Sequence, residues 1–205
     1  RTDSGGWRIS GTKRYISNVE NATHGLVLVD ATYGRRSGPT VFLVPLTSAC
    51  VTKAGHYGKL GTDSVGAWRL VFDCEVSDGC RLGPIGAGLA VLLGALRYER
   101  MAVSCAMLAG ARHALSLSVE FLRQRESQGG RLYELSTLSH RAAEAWVDLQ
   151  ASAALLEQLV DRDEQGVASD ADYAAVKFHA ATTAQRVTDT ALQFLGGRGV
   201  DRRPG

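Results

Sequence analysis

The sequence predicts an α+β chain: a small antiparallel β-barrel or sandwich over residues 1–83, then an α-helical bundle over residues 84–205. Short runs rich in valine and leucine, separated by glycine-marked turns, fill the first part. Composition changes at Gly83-Pro84. Beyond that point the apolar pattern is helical throughout. Strands grouped ahead of helices indicate segregated layers, not an alternating βαβ sheet.

Taken in order, Trp7-Arg8-Ile9-Ser10 alternates, Gly11-Thr12 supplies a turn and Lys13 to Asn18 continues, which is the pattern of a hairpin. Gly25 to Ala31 and Thr40 to Leu46 read as strands on either side of the loop Tyr33 to Pro39. Further strands are expected at Cys50 to Lys53, Ala67 to Asp73 and near Glu75-Val76, with Gly58, Gly61 and Gly66 at the turns between them. Three helices follow, over about 86–124, 135–162 and 170–194. The first is rich in Gly, Ala and Ser and apolar on most sides, so it should run through the middle of a bundle. The polar link Asp161 to Gly166 stops the second helix, and Ser169 or Asp170 can cap the third.

Composition narrows the function classes. With 205 residues, 45% hydrophobic and 21% charged, the chain can bury a sizeable core and is of ordinary globular type. A formal charge of only +2, with scattered arginines and the mere doublets Arg35-Arg36 and Arg202-Arg203, argues against nucleic acid as a partner. There is no uninterrupted apolar run of ~18 residues, so no membrane span is expected. The opening at Arg1 and the close at Gly205 read as a segment of a larger protein without a signal peptide. Arginine far outnumbers lysine, which suggests a bacterium, and the cysteine usage suggests a cytoplasmic protein. Cys50, Cys74, Cys80 and Cys105 lack metal-ligand spacing and are expected as reduced thiols; a Cys74–Cys80 disulfide is the less favoured alternative. The five histidines suggest no metal centre.

Four groups could carry chemistry. Counting in threes and fours from Leu92 gives Leu96, Glu99, Ala102 or Val103, and Ala106, so a carboxylate interrupts an apolar stripe. Arg97 and Arg100 point elsewhere on the helix. Buried without a cation, Glu99 would be raised toward the range of a working base; the alternatives are a cation from another helix or an exposed turn. Arg125 and Ser127 flank the turn Gln128-Gly129-Gly130, a setting suited to a pyrophosphate or to compensating a helix C-terminus. Gln193 precedes Gly196-Gly197-Arg198-Gly199, where the glycines end a helix instead of opening one, so the segment is neither a Rossmann fingerprint nor a P-loop and reads alone as a C-cap. Tyr15 and Ser17 alternate with Ile16 and should share one face of a strand, either to receive a flat heteroaromatic ligand or as a half-exposed surface. Because 26 positions separate Glu99 from Arg125, a straight helix holds them about 39 Å apart. If both act, sites must be completed across an oligomer interface.

The collinear series Gly11 to Asn18, Gly58-Lys59-Leu60-Gly61, Val71-Phe72-Asp73-Cys74, Leu82-Gly83 with Gly86 and Gly88, Glu99-Arg100, Gly110-Ala111-Arg112, Arg125, Lys177 and Gln193 to Gly199 resembles the middle and C-terminal domains of an acyl-CoA dehydrogenase, truncated at both ends. The resemblance implies a homo-oligomeric flavoenzyme, a dimer or tetramer, with FAD between β-domain and helical bundle. A base removes the α-proton of an acyl-CoA or acyl carrier protein thioester while the β-hydrogen leaves as hydride to flavin N5. By resemblance, Glu99 matches the base of one branch, which includes isovaleryl- and long-chain-type members. Tyr15 matches the aromatic against the flavin, and Ser17 the hydroxyl near N5. Arg125 and Ser127 match positions at the pyrophosphate of a neighbouring subunit's FAD, and Gln193, Gly196 and Gly197 positions near its adenosine diphosphate part. An electron-transfer flavoprotein is the implied acceptor. Val200 replaces a usual aromatic, Gln128 a common phenylalanine and Ser136 an expected glutamine. Rival readings are an acyl-CoA oxidase or flavin-dependent monooxygenase of this fold, and a non-catalytic helical interaction module.

Overall fold

The computed structural model describes residues 2, 5–62, 64–127 and 129–201; Gln128 and the Arg202-Arg203 doublet lie outside the described residues. The chain divides into two compact units, Arg1–Ala95 and Leu96–Gly205.

In the first unit, β1 (Trp7–Ser17), β5 (Ala67–Val76) and β4 (Val51–His56) form one antiparallel sheet in the order β1-β5-β4. A second is built from β2 (His24–Tyr33), β3 (Arg36–Pro45) and β6 (Arg81–Leu82) in the order β2-β3-β6. The two sheets enclose one apolar core that includes Trp7, Ile9, Val27, Phe42, Leu70 and Phe72. β5 shows the cause most plainly, since Leu70, Phe72, Cys74 and Val76 are buried while Val71, Asp73 and Glu75 are exposed.

This is a sandwich and not a closed barrel. β1 and β2 each end a sheet. Where a closing ladder would run between them, the Lys13 ammonium donates to the Leu28 carbonyl at 2.7 Å instead. A groove of about 440 Å³ lined by Ser10, Gly11, Lys13 and Val29 occupies the same seam. The expected hairpin turn at Gly11-Thr12 is also absent. β1 continues through it, with Gly11 opposite Phe72 and Thr12 opposite Val71, because pairing with the ten-residue β5 overrides a local turn signal.

The thiol expectation fails for one pair. Cys50 and Cys74 are joined by a disulfide, their Cα atoms 5.0 Å apart, whereas Cys80 and Cys105 are free. Pairing of β4 with β5 places Val51 opposite Phe72 and so carries Cys50 beside Cys74. A sequence separation of 24 hides that proximity.

The second unit is helical: α1 (Gly88–Gln124, whose first turns belong to the other unit), α2 (Ser136–Glu164) and α3 (Asp170–Leu195). A two-residue hairpin, β7 (Glu126–Ser127) with β8 (Gly130–Arg131), joins α1 to α2. Ser104, Leu108, Ala111, Leu115, Ser118 and Leu122 are the buried positions along the second unit's share of α1, at the alternating four-three spacing of a packed helical seam. By length and composition α1 could cross a membrane. Within this unit its apolarity serves the core shared with Leu149, Leu156, Val176 and Val187.

Ser169 caps α3, accepting from the Asp172 N–H while the Asp172 carboxylate accepts from the Ser169 N–H at 2.7 Å. That bond, with help from Arg162, holds the Asp172 carboxyl below its ordinary range. Asp170 is lowered too, first by the hydrogen bond from Arg97. A depressed carboxyl stabilises the fold above its unfolded pKa, and the contribution is lost as pH falls through the folded value. The α3 N-terminus is therefore expected to loosen only below the ordinary aspartate pKa of about 3.8, as hydrogen exchange at residues 169–173 would show. In Ser169→Ala that acid-dependent step at Asp172 should shrink.

Between α2 and α3, buried Ser152 lies 2.6 Å from His179 Nδ1 and donates to Thr183 Oγ1 at 2.9 Å. Ser152→Ala leaves both neighbours short of a partner. A loss of about 1–3 kcal/mol is expected in denaturant unfolding.

Candidate active site

The predicted site residues fall into three places, each described within its own unit. At one end of the first sheet, β1 carries Tyr15 and Ser17, and both are exposed. They do not share a face by simple alternation. Lys13 stands opposite Leu70 and Ile16 opposite Trp68, so Arg14 and Tyr15 together oppose Arg69 in a bulge. Tyr15 takes φ +57°, a left-handed conformation that costs a bulky residue roughly 1–3 kcal/mol. The residue is 69% exposed, and its ring stacks on Tyr57 with centroids 4.3 Å apart and planes at 29°. Ser17 pairs with Ala67, and the Ala67 carbonyl accepts the Tyr57 N–H at 2.8 Å. Nearby, Trp68 donates its indole N–H to Glu20, a short bond that lowers the Glu20 pKa.

Glu99 stands near the start of the second unit's share of α1, and it is exposed. Of the readings that periodicity left open, the unit shows the exposed turn and not burial in an apolar stripe. Leu96, Ala102 and Ala106 on the same stripe are exposed as well, because the unit packs through the Ser104–Leu108–Ala111 seam, some 140° around the helix from Glu99. Periodicity could not choose between faces on a helix apolar nearly all round. The neighbouring cations are placed as expected. Arg97 Nε donates to Asp170 at 2.7 Å and its guanidinium lies over the Tyr173 ring, 5.8 Å from the centroid. Arg100 lines a groove of about 410 Å³ with Lys177, Phe178 and Gln185.

Behind Arg97, the Tyr173 hydroxyl donates to Asp163, and that bond, with burial, pushes its pKa up to about 12. The pair ties α3 to the end of α2.

The third place is the opposite end of α1. Arg125 follows the last helical residue; its N–H donates to the Phe121 carbonyl and its own carbonyl accepts from Leu132, both at 2.9 Å. Ser127 sits on β7, paired with Gly130. The tight turn Gly196–Val200 closes α3, with Gly196 at φ +55°. The Arg198 guanidinium lies 5.8 Å from the centroid of Phe121, one helical turn before Arg125. The structure thus brings Arg125, Ser127, Gln193, Gly196 and Gly197 to one end of the unit, and all five are exposed. That end offers a cationic side chain, a hydroxyl, an amide and two glycines whose backbone can be approached closely, a donor set that suits a pyrophosphate.

Among the described residues no cluster of metal-ligating side chains occurs. Tyr57 was missed from sequence because it lies between His56 and Gly58 with no periodic signal. The Arg97–Asp170 pair spans 73 positions and could not have been read either.

Two antiparallel sheets followed by an antiparallel helical unit, with a glycine-rich turn beside an arginine turn, define an α+β chain whose sheets and helices are segregated. Residues 86–205 match the family model described as acyl-CoA dehydrogenase, C-terminal domain, and the chain belongs to the acyl-CoA dehydrogenase family. It is 28% identical over 198 residues to the mitochondrial isovaleryl-CoA dehydrogenase of Solanum tuberosum, covering 95% of this chain and 48% of that protein. It is 28% identical over 204 residues to the mitochondrial short/branched chain specific acyl-CoA dehydrogenase of Rattus norvegicus, covering 97% of this chain and 47% of that one. Among solved structures, butyryl-CoA dehydrogenase from Megasphaera elsdenii superposes with a TM-score of 0.92 at 27% identity, over 98% of this chain and 53% of that chain. The chain spans about half the length of the curated relatives it matches.

Proposed function

We propose that this chain is part of an FAD-dependent oxidoreductase that introduces an α,β double bond into an acyl thioester of coenzyme A or a carrier protein. FAD, when bound, supplies the hydride acceptor. Glu99 removes the α-proton, and its carboxylate oxygen is the atom that takes it up. Tyr15 offers a ring face to the flavin, and Ser17 a hydroxyl at its edge. Arg125 and Ser127 hold the pyrophosphate and Gln193, Gly196 and Gly197 the adenosine diphosphate part of an FAD bound mainly by a second copy. Electrons pass to an electron-transfer flavoprotein, and the enzyme works as a cytoplasmic homo-oligomer, a dimer or tetramer.

The observation that carries this reading is the gathering of the five predicted phosphate-side residues at one end of the helical unit, about 39 Å along α1 from Glu99. One copy cannot place both ends at one flavin. The test is anaerobic addition of a panel of acyl thioesters to the FAD-loaded full-length protein, with flavin absorbance followed. Bleaching by at least one thioester is expected, and slow reoxidation by oxygen is expected of a dehydrogenase. Absence of bleaching across branched, straight, coenzyme A and carrier-protein thioesters would overturn it, and rapid reoxidation would make the enzyme an oxidase.

A further inference from the structure

The stack of Tyr57 on Tyr15 has no part in the reaction as proposed, and nothing in the core of the first unit requires it. Tyr15 is held in a left-handed conformation within a bulge, on an exposed sheet end. Left to itself, an exposed tyrosine ring there would sample several orientations. Tyr57 removes that freedom, with ring centroids 4.3 Å apart and planes 29° from parallel, the spacing of an offset stack. Tyr57 is itself fixed through its N–H to the Ala67 carbonyl at 2.8 Å. Ala67 is also the register partner of Ser17. A single β5 residue therefore sets both the strand position of Ser17 and the anchor of the ring that backs Tyr15. One face of Tyr15 lies against Tyr57, while the residue as a whole stays 69% exposed, which leaves the opposite face open.

We infer that Tyr57 is a positioning residue for the flavin: it fixes the plane of Tyr15 so that the open face of that ring receives the isoalloxazine system of FAD. The inference rests on the reading of Tyr15 as the flavin-facing aromatic. Pre-ordering a binding ring lowers the entropy lost when a ligand docks. Removal of Tyr57 should therefore weaken cofactor binding without touching the reacting groups.

The test uses the full-length protein stripped of flavin and titrated with FAD, following quenching of flavin fluorescence. Tyr57→Ala is expected to raise the FAD dissociation constant about five- to tenfold, the range an aromatic stack supplies. Tyr57→Phe, which keeps the ring, should stay within about twofold of wild type. The backbone N–H to Ala67 survives in every variant, so circular dichroism melts should stay close to wild type. Should Tyr57→Ala fail to fold, Tyr57→Leu fills the space without a ring plane and decides the matter in the same way. Unchanged or tighter binding in Tyr57→Ala overturns the inference, as does equal loss in Tyr57→Phe, which would put the effect in the hydroxyl. Tyr15→Ala separates the two ideas. If it weakens FAD while Tyr57→Ala does not, only the present inference falls. If Tyr15→Ala binds FAD normally, or the wild type takes up none, the underlying reading falls and this one with it.

Discussion

Glu99→Gln in the full-length protein is expected to retain FAD and bind the acyl thioester, yet to bleach the flavin about 10²–10⁴ times more slowly. The amide has nearly the shape of the carboxylate but cannot accept the α-proton as a base. The helical unit alone leaves Glu99 exposed. Rapid-mixing absorbance of the flavin checks this, with thioester affinity measured separately. Near-normal bleaching would transfer the base to a residue outside this chain. Arg97 cannot take over, since its guanidinium stays protonated, held by Asp170 and lying over the Tyr173 ring.

Phe42→Ala is expected to carry the largest stability loss in the first unit. The ring is fully buried between the two sheets and meets Trp7 edge-on at 5.4 Å. Replacing it forfeits both transfer free energy and contacts around the cavity left behind, about 3–5 kcal/mol. Against a typical total of roughly 5–15 kcal/mol this is a large fraction. For a chain of this size a fall in Tm of about 6–20 °C follows. A thermal melt checks it, and a fall of only a degree or two would mean that the sandwich closes over the gap. FAD uptake should fail at a lower temperature as well, because the sheet pairing that carries Tyr15 and Ser17 depends on this core.

Legibility differed between the two halves for physical reasons. Helices form from neighbours three and four apart, so expected spans of 86–124, 135–162 and 170–194 lie within two residues of α1, α2 and α3 at each end. The cap was readable to within one residue, Ser169 or Asp170, because a cap acts on the next three residues, and the structure places it at Ser169. Strand centres were legible, but not their limits, since β3 begins at Arg36 inside the expected loop and β5 runs unbroken from Ala67 to Val76, nor which strand pairs with which. Gly11 looked like a turn until β5 was there to pair with it, and Cys50 and Cys74 looked unrelated until β4 met β5. The bulge that turns Tyr15 away from simple alternation is likewise a product of pairing.

By itself the sequence determined the segregation of strands from helices, the helix limits, the separation of Glu99 from Arg125 and, through a collinear set of motifs, the family. Those follow from local geometry and from residue order along one chain. Tertiary structure alone decided that the sheets stay open as a sandwich, that α1 turns its Ser104–Leu122 seam to the core and leaves Glu99 exposed, and that Tyr57 backs Tyr15. Each is a contact between residues distant in sequence. Their cost in chain entropy is met only by the whole packed unit, and no short window of sequence records it.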